Sequence, residues 1–134
     1  MVRRARRRVF ISSLYIGYAD KQLVCVPSSF GACVHFSHAC LQLDALDEAL
    51  CNNASLEVHL HLDLNRSTRP GPSSTARVLL PLLRDYPDRM HVSLFRSPKL
   101  RGIMAKLVPP RFNEGWGTWH AKIYGVDDEV MISG

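Results

Sequence analysis

The sequence predicts a mixed α/β domain, a central sheet flanked by helices, and three observations carry that expectation. Residues 9–16 form a mostly apolar run rich in Val, Ile, Phe and Tyr, the composition of a buried strand. Residues 56–64 alternate strictly between apolar and polar, the two-residue period of a strand with two different faces. Around these runs stand segments with helical spacing, and strand and helix signals in alternation describe a sheet covered by helices in α-β-α layers. A chain of 134 residues is one domain at most, with room for a core of ordinary size.

The first strand, 9–16, is stopped by Gly17. The segment 20–42 fits less well: Pro27-Ser28-Ser29-Phe30-Gly31 breaks any helix, and the residues after it mix apolar side chains with His35 and His38 in no clean period. Residues 43–51 regain helical spacing, with Asp44, Asp47 and Glu48 between apolar positions, and Asn52-Asn53 ends that amphipathic helix. In the second strand Leu56, Val58, Leu60, Leu62 and Leu64 share one face, and Glu57, His59, His61 and Asp63 share the other. Residues 73–84 read as a helix with Ser73 or Ser74 as N-cap and Pro81 bending or tightening its last turn.

The next strand is 90–95, closed by a turn at Ser97-Pro98. A short basic amphipathic helix follows over 100–108, carrying Arg101 and Lys106. Its Leu100, Ile103, Met104 and Leu107 are assigned to the core, contact with a membrane or lipid tail being the alternative. The loop 109–119 holds glycines and two tryptophans, Trp116 being expected in the core. It leads into a strand over 119–124, a turn at Gly125 and a hairpin partner at 130–132.

The formal charge is +5, which favours an anionic partner without choosing among a phospholipid headgroup, a membrane surface, a nucleotide and nucleic acid. Arg3, Arg4, Arg6, Arg7 and Arg8 supply much of it and read as a solvated strand flank, with a lipid- or phosphate-facing patch and an Arg-rich transit peptide as the functional alternatives, the first strand leaving no room for a separable presequence. No run reaches the about 18 apolar residues that span a bilayer, so membrane contact is expected to be peripheral. Cys25, Cys33, Cys40 and Cys51 match no common zinc-knuckle spacing and are expected to be reduced thiols.

Chemistry concentrates at the end of the chain, where His120, Lys122 and Asp127 stand as H-x-K-x4-D. Strand alternation projects His120 and Lys122 from one face. An imidazole can attack phosphorus, an ammonium can neutralise phosphate oxygens, and Asp127 could fix the tautomer of a histidine across the site. His59, His61 and Asp63 invite a metal reading, but one strand offers two practical ligands and no third is identifiable, so a polar sheet face is expected and no metal is assigned.

These residues resemble the phospholipase D superfamily, and within it the first catalytic half of the eukaryotic mitochondrial phosphatidylglycerophosphate synthases. The resemblance rests on the run from Arg7 to Gly17, on Leu79-Leu80-Pro81-Leu82-Leu83, Val92-Ser93-Leu94-Phe95 and Leu100-Arg101-Gly102, on Pro110-Arg111-Phe112-Asn113-Glu114, and on the His120-Ala-Lys122-Ile-Tyr124 motif. It covers the opening block and nearly all of 54–134. It implies phosphatidyl transfer from CDP-diacylglycerol to glycerol 3-phosphate, giving phosphatidylglycerophosphate and CMP, without a metal or other cofactor. His120 would form a phosphohistidine, Lys122 would hold non-bridging oxygens, and a second H-x-K-x4-D half would supply the acid and base.

The same resemblance makes Asp63, Arg66, Arg111 and Asn113 candidate substrate contacts, although 66–72 carries two prolines where relatives have a Gly-rich run. It implies a mitochondrial location, peripheral contact with an anionic membrane, and a chain of 134 residues that is one incomplete catalytic half with an atypical insertion at 20–42. Such a chain alone, as a monomer, is expected to be inactive. The other readings are a catalytically silent product or binding module, and a homodimeric nuclease of the same superfamily, which the lipid-synthase-like runs argue against.

Overall fold

A computed structural model describes residues 2–16, 38–71, 74–109, 112 and 117–133. Arg111, Asn113, Trp116, Cys25, Cys33, His35 and most of the 20–42 segment lie outside the described residues. A 3-10 turn at Val2–Arg4 leads into β1 (Arg8–Ser13), followed by α1 (His38–Asn52), β2 (Glu57–Asp63), α2 (Leu64–Ser67), α3 (Thr75–Asp85), β3 (Met90–Phe95), α4 (Ile103–Leu107) and the hairpin β4 (Lys122–Val126) and β5 (Glu129–Ser133).

The five strands form one mixed sheet in the order β3-β2-β1-β4-β5. The β1–β2 and β2–β3 pairs are parallel, while β4 runs antiparallel to β1 and to β5. The mixed sheet with flanking helices is therefore the expected fold class. Its layering is simpler than α-β-α among the described residues. Leu46 and Leu50 of α1 and Leu79 and Leu82 of α3 pack in one cluster with Val9, Ile11, Val58, Leu60 and Leu62. Both long helices thus cover the same face. Two parallel crossovers that step in the same direction along a sheet, each with the single hand such connections take, deliver their helices to one side.

The alternation of β2 decides which face that is. Val58, Leu60 and Leu62 are fully buried, and each contributes about 1.5–3 kcal/mol relative to remaining exposed. Glu57, His59 and His61 point to the opposite, open face. β3 has the bounds that its sequence predicts. Other boundaries move: β1 ends at Ser13 rather than 16, and α1 begins at His38, inside the segment read as an insertion. A four-residue helix, α2, replaces the loop expected after β2, because Asp63 caps its start. In α3, Ser74 occupies the N-cap position, but its hydroxyl donates to the Ser67 carbonyl (3.1 Å) instead of capping the helix.

α4 corrects an assignment. Leu100 just before it is buried, but Ile103 and Leu107 are 75% and 69% exposed, so the helix presents these side chains outward rather than to the core. The helix is a single turn and a half that begins after Gly102 at φ 61°, which leaves it too short to lay a full apolar stripe on the sheet. Among the described residues no helix is long and apolar enough to cross a membrane.

Candidate functional site

An open cleft of about 450 Å³ lies where the carboxyl end of β1 meets the start of β4. His120, Lys122 and Arg66 line it, together with Ser13, Tyr15 and Tyr124. Three groups that are cationic or can become so thus face one space, and among the described residues no carboxylate lines it. The Arg66 guanidinium lies 5.2 Å from the centre of the Tyr15 ring, a cation–π contact that holds the side chain at the cleft wall. Such a lining suits an anion with several oxygens, phosphate above all.

β4 starts at Lys122, later than the strand expected over 119–124, so His120 stands in the irregular approach to it. That approach is nevertheless held firmly. The Trp119 backbone N–H donates to Asp63 Oδ2 (3.0 Å), and the indole Nε1–H donates to Ser12 Oγ (2.6 Å). The indole also packs edge-on against His61 and tilted against Phe95. His120 is exposed, yet the residue before it is fixed to three strands. Ser12, fully buried beneath the indole, had no counterpart among the sequence expectations. A Ser12-Ser13 pair in an otherwise mostly apolar run is its only signal.

Asp63, expected as a substrate contact, is buried beneath the approach to the cleft. The side chain is 1% exposed, with Oδ1 accepting the Arg66 N–H (3.0 Å) as the N-cap of α2 and Oδ2 accepting the Trp119 N–H. Both oxygens serve the backbone, and the carboxylate is not among the residues lining the cleft. One side chain therefore anchors the two segments that bring Arg66 and His120 to the cleft.

Asp127 is placed at the far end of the sheet. It lies five positions beyond Lys122 along extended β4, about 17 Å at about 3.3 Å per residue. Its carboxylate accepts N–H bonds from Arg6 (2.9 Å), Arg7 (2.7 Å) and Arg8 (3.1 Å), and its own N–H donates to the Arg8 carbonyl (2.9 Å). These donors, Arg6 first, hold its carboxyl below the usual carboxylate range. In this chain, then, Asp127 docks the β4–β5 turn on the start of β1. It takes a positive φ of 51°, a conformation that Asp tolerates better than most residues, and the three bonds hold it there. Neighbouring Asp128 pairs instead with the Arg7 guanidinium. Four of the five clustered arginines thus have partners: Arg3 with Glu48, Arg7 and Arg8 with Asp128, and Arg6 through its backbone with Asp127.

His120, Lys122 and Arg66 are the expected site residues that come together, while Arg111 and Asn113 fall outside the described residues. Sequence reasoning passed over Tyr15, Ser13 and Tyr124, which join the cleft through the β1–β4 pairing. That pairing joins segments more than a hundred residues apart, and no local pattern announces it.

No protein-family model matches the chain, and no solved structure matches it. Curated proteins do. The fission yeast (Schizosaccharomyces pombe) CDP-diacylglycerol–glycerol-3-phosphate 3-phosphatidyltransferase is 40% identical over 135 residues, covering 100% of this chain and 23% of the relative. The human protein of the same name, designated mitochondrial, is 37% identical over 135 residues, covering 99% and 22%. The Saccharomyces cerevisiae protein is 37% identical over 132 residues, covering 97% and 22%. Along its whole length the chain is thus, by sequence, a relative of the CDP-diacylglycerol–glycerol-3-phosphate 3-phosphatidyltransferases, spanning about a fifth of their length.

Proposed function

We propose that this chain is one catalytic half of a phospholipase-D-like phosphatidyltransferase that moves the phosphatidyl group of CDP-diacylglycerol to glycerol 3-phosphate. The observation that supports it is the convergence of His120, Lys122 and Arg66 on one cleft, in a chain whose relatives carry that activity in their name. A neutral imidazole nitrogen of His120 attacks the phosphatidyl phosphorus, the bond to CMP breaks, and a phosphohistidine forms. Lys122 and Arg66 balance charge on the non-bridging oxygens as it builds. A hydroxyl of glycerol 3-phosphate then attacks the same phosphorus, the P–N bond breaks, and phosphatidylglycerophosphate leaves. Protonation of departing CMP and deprotonation of the acceptor require an acid and base opposite His120, which we assign to a second H-x-K-x4-D half. None of these steps calls on a metal ion or other cofactor.

The substrate is a lipid, and Ile103, Leu107 and Phe112 are exposed beside Arg101 and Lys106. That combination suits peripheral contact with an anionic membrane. The names of several relatives place them in mitochondria, and we extend that location to this protein.

The test is a chimera in which these 134 residues replace the matching segment of the fission yeast relative. Fed CDP-diacylglycerol labelled in its phosphatidyl phosphate, the chimera should trap label on His120 and, with glycerol 3-phosphate, release labelled phosphatidylglycerophosphate. His120→Ala should do neither. A well-expressed chimera that leaves His120 unlabelled, or that consumes plasmid DNA and spares the lipid, overturns the reading.

A further inference from the structure

The open face of the sheet carries a second constellation, unrelated to the cleft. β2 and β3 pair in parallel with His59 opposite His91, and Glu57 stands two residues before His59 on the same face. The two imidazoles are stacked, with ring centres 4.9 Å apart and planes 23° from parallel. The Glu57 carboxylate lies 3.5 Å from His59 Nε2. One donor atom from each of the three side chains falls within 4.8 Å of the others. We propose that Glu57, His59 and His91 bind a divalent transition-metal ion of the zinc class on this face.

The chemistry of the donors selects the ion. Two imidazole nitrogens and one carboxylate oxygen suit Zn²⁺, Co²⁺, Ni²⁺ or Cu²⁺, whereas Mg²⁺ and Ca²⁺ prefer all-oxygen sites. A bound Zn²⁺ takes its ligands at about 2.0–2.2 Å, which puts neighbouring donors about 3.4 Å apart. The donors, now within 4.8 Å of one another, must therefore close by up to about 1.4 Å. Glu57 and His91 are exposed and His59 is partly so, and their side chains can make that movement by rotation alone. The strands beneath need not move, because the paired register already holds the three Cβ atoms on one surface.

Two neighbours sharpen the assignment. Arg8, opposite Glu57 on β1, is committed to the hairpin turn through the Asp127 carbonyl (3.1 Å) and Asp128, and does not neutralise Glu57. His61 and Asp63, which sequence alternation places with His59, are occupied elsewhere: His61 packs against the Trp119 indole, and Asp63 is buried between two backbone N–H groups. The third ligand comes from the neighbouring strand.

Titration calorimetry of the full chain with Zn²⁺, after alkylation of its thiols, tests the site. One ion per chain should bind, and the thermal midpoint should rise with it. Each of His59→Ala, His91→Ala and Glu57→Ala should weaken binding at least about tenfold, as befits loss of a direct ligand, while leaving the circular dichroism unchanged. His61→Ala should bind as the unaltered chain does. Absence of binding to the unaltered chain, unchanged affinity in the His59 or His91 variant, or an equal loss in His61→Ala would each overturn the proposal.

Discussion

Replacing Asp63 should damage the fold and the site through two separable bonds. In Asp63→Ala the N-cap of α2 is lost, at about 1 kcal/mol, and the Trp119 N–H loses its acceptor. Leaving that partly buried donor unpaired adds about 1–3 kcal/mol, for a total of about 2–4 kcal/mol. That is a large share of the about 5–15 kcal/mol that holds a typical domain together. Asp63→Asn separates the two effects: its remaining oxygen can accept one N–H, and its NH₂ must then face the other. The amide variant should therefore lose less than the alanine variant, by about the value of one hydrogen bond, about 1 kcal/mol. Urea unfolding followed by circular dichroism measures both losses, and Trp fluorescence reports release of the Trp119 indole. In the chimera, either variant should slow labelling of His120 more than it weakens lipid binding, because Trp119 precedes the nucleophile and does not line the cleft. An Asp63→Ala protein within about 0.5 kcal/mol of the unaltered chain, with unchanged fluorescence, would refute the claim that this carboxylate holds the approach to His120.

Two further outcomes follow from exposed positions. Asp127 has a lowered carboxyl pKa, so its contribution to stability is complete above the ordinary value of 3.8 and is lost as the pH falls through the lowered one. The gap in urea midpoint between the unaltered chain and Asp127→Asn should be constant near neutrality and should close in acid below 3.8, and a gap that persists there would contradict the three backbone bonds. On α4, the double variant Ile103→Asp, Leu107→Asp should lower co-sedimentation with anionic vesicles at least about tenfold, since burying each side chain contributes about 1.5–3 kcal/mol, while leaving the urea midpoint unchanged. Equal sedimentation of the two proteins would remove α4 from the membrane contact.

What the sequence determined by itself was whatever depends on neighbours along the chain. The two-residue period of 56–64 identified β2 and its buried face, the 90–95 run matched β3 residue for residue, and His120 and Lys122 line one cleft as expected, although His120 precedes β4 instead of alternating within it. Tertiary structure decided what depends on strand pairing. Asp63 reads as a site acid in sequence, but the β2 end lies under Trp119, and there both its oxygens cap backbone groups. Asp127 belongs to the H-x-K-x4-D motif by spacing, yet the extended run of β4 carries it to the opposite end of the sheet. Ile103 and Leu107 look like core until the helix that bears them proves too short to cover anything. His91 sits 32 positions from His59, and only the parallel register makes them neighbours. Side-chain periodicity is enforced within a few residues by backbone geometry, whereas register is set by closing long loops and burying one face of the finished sheet.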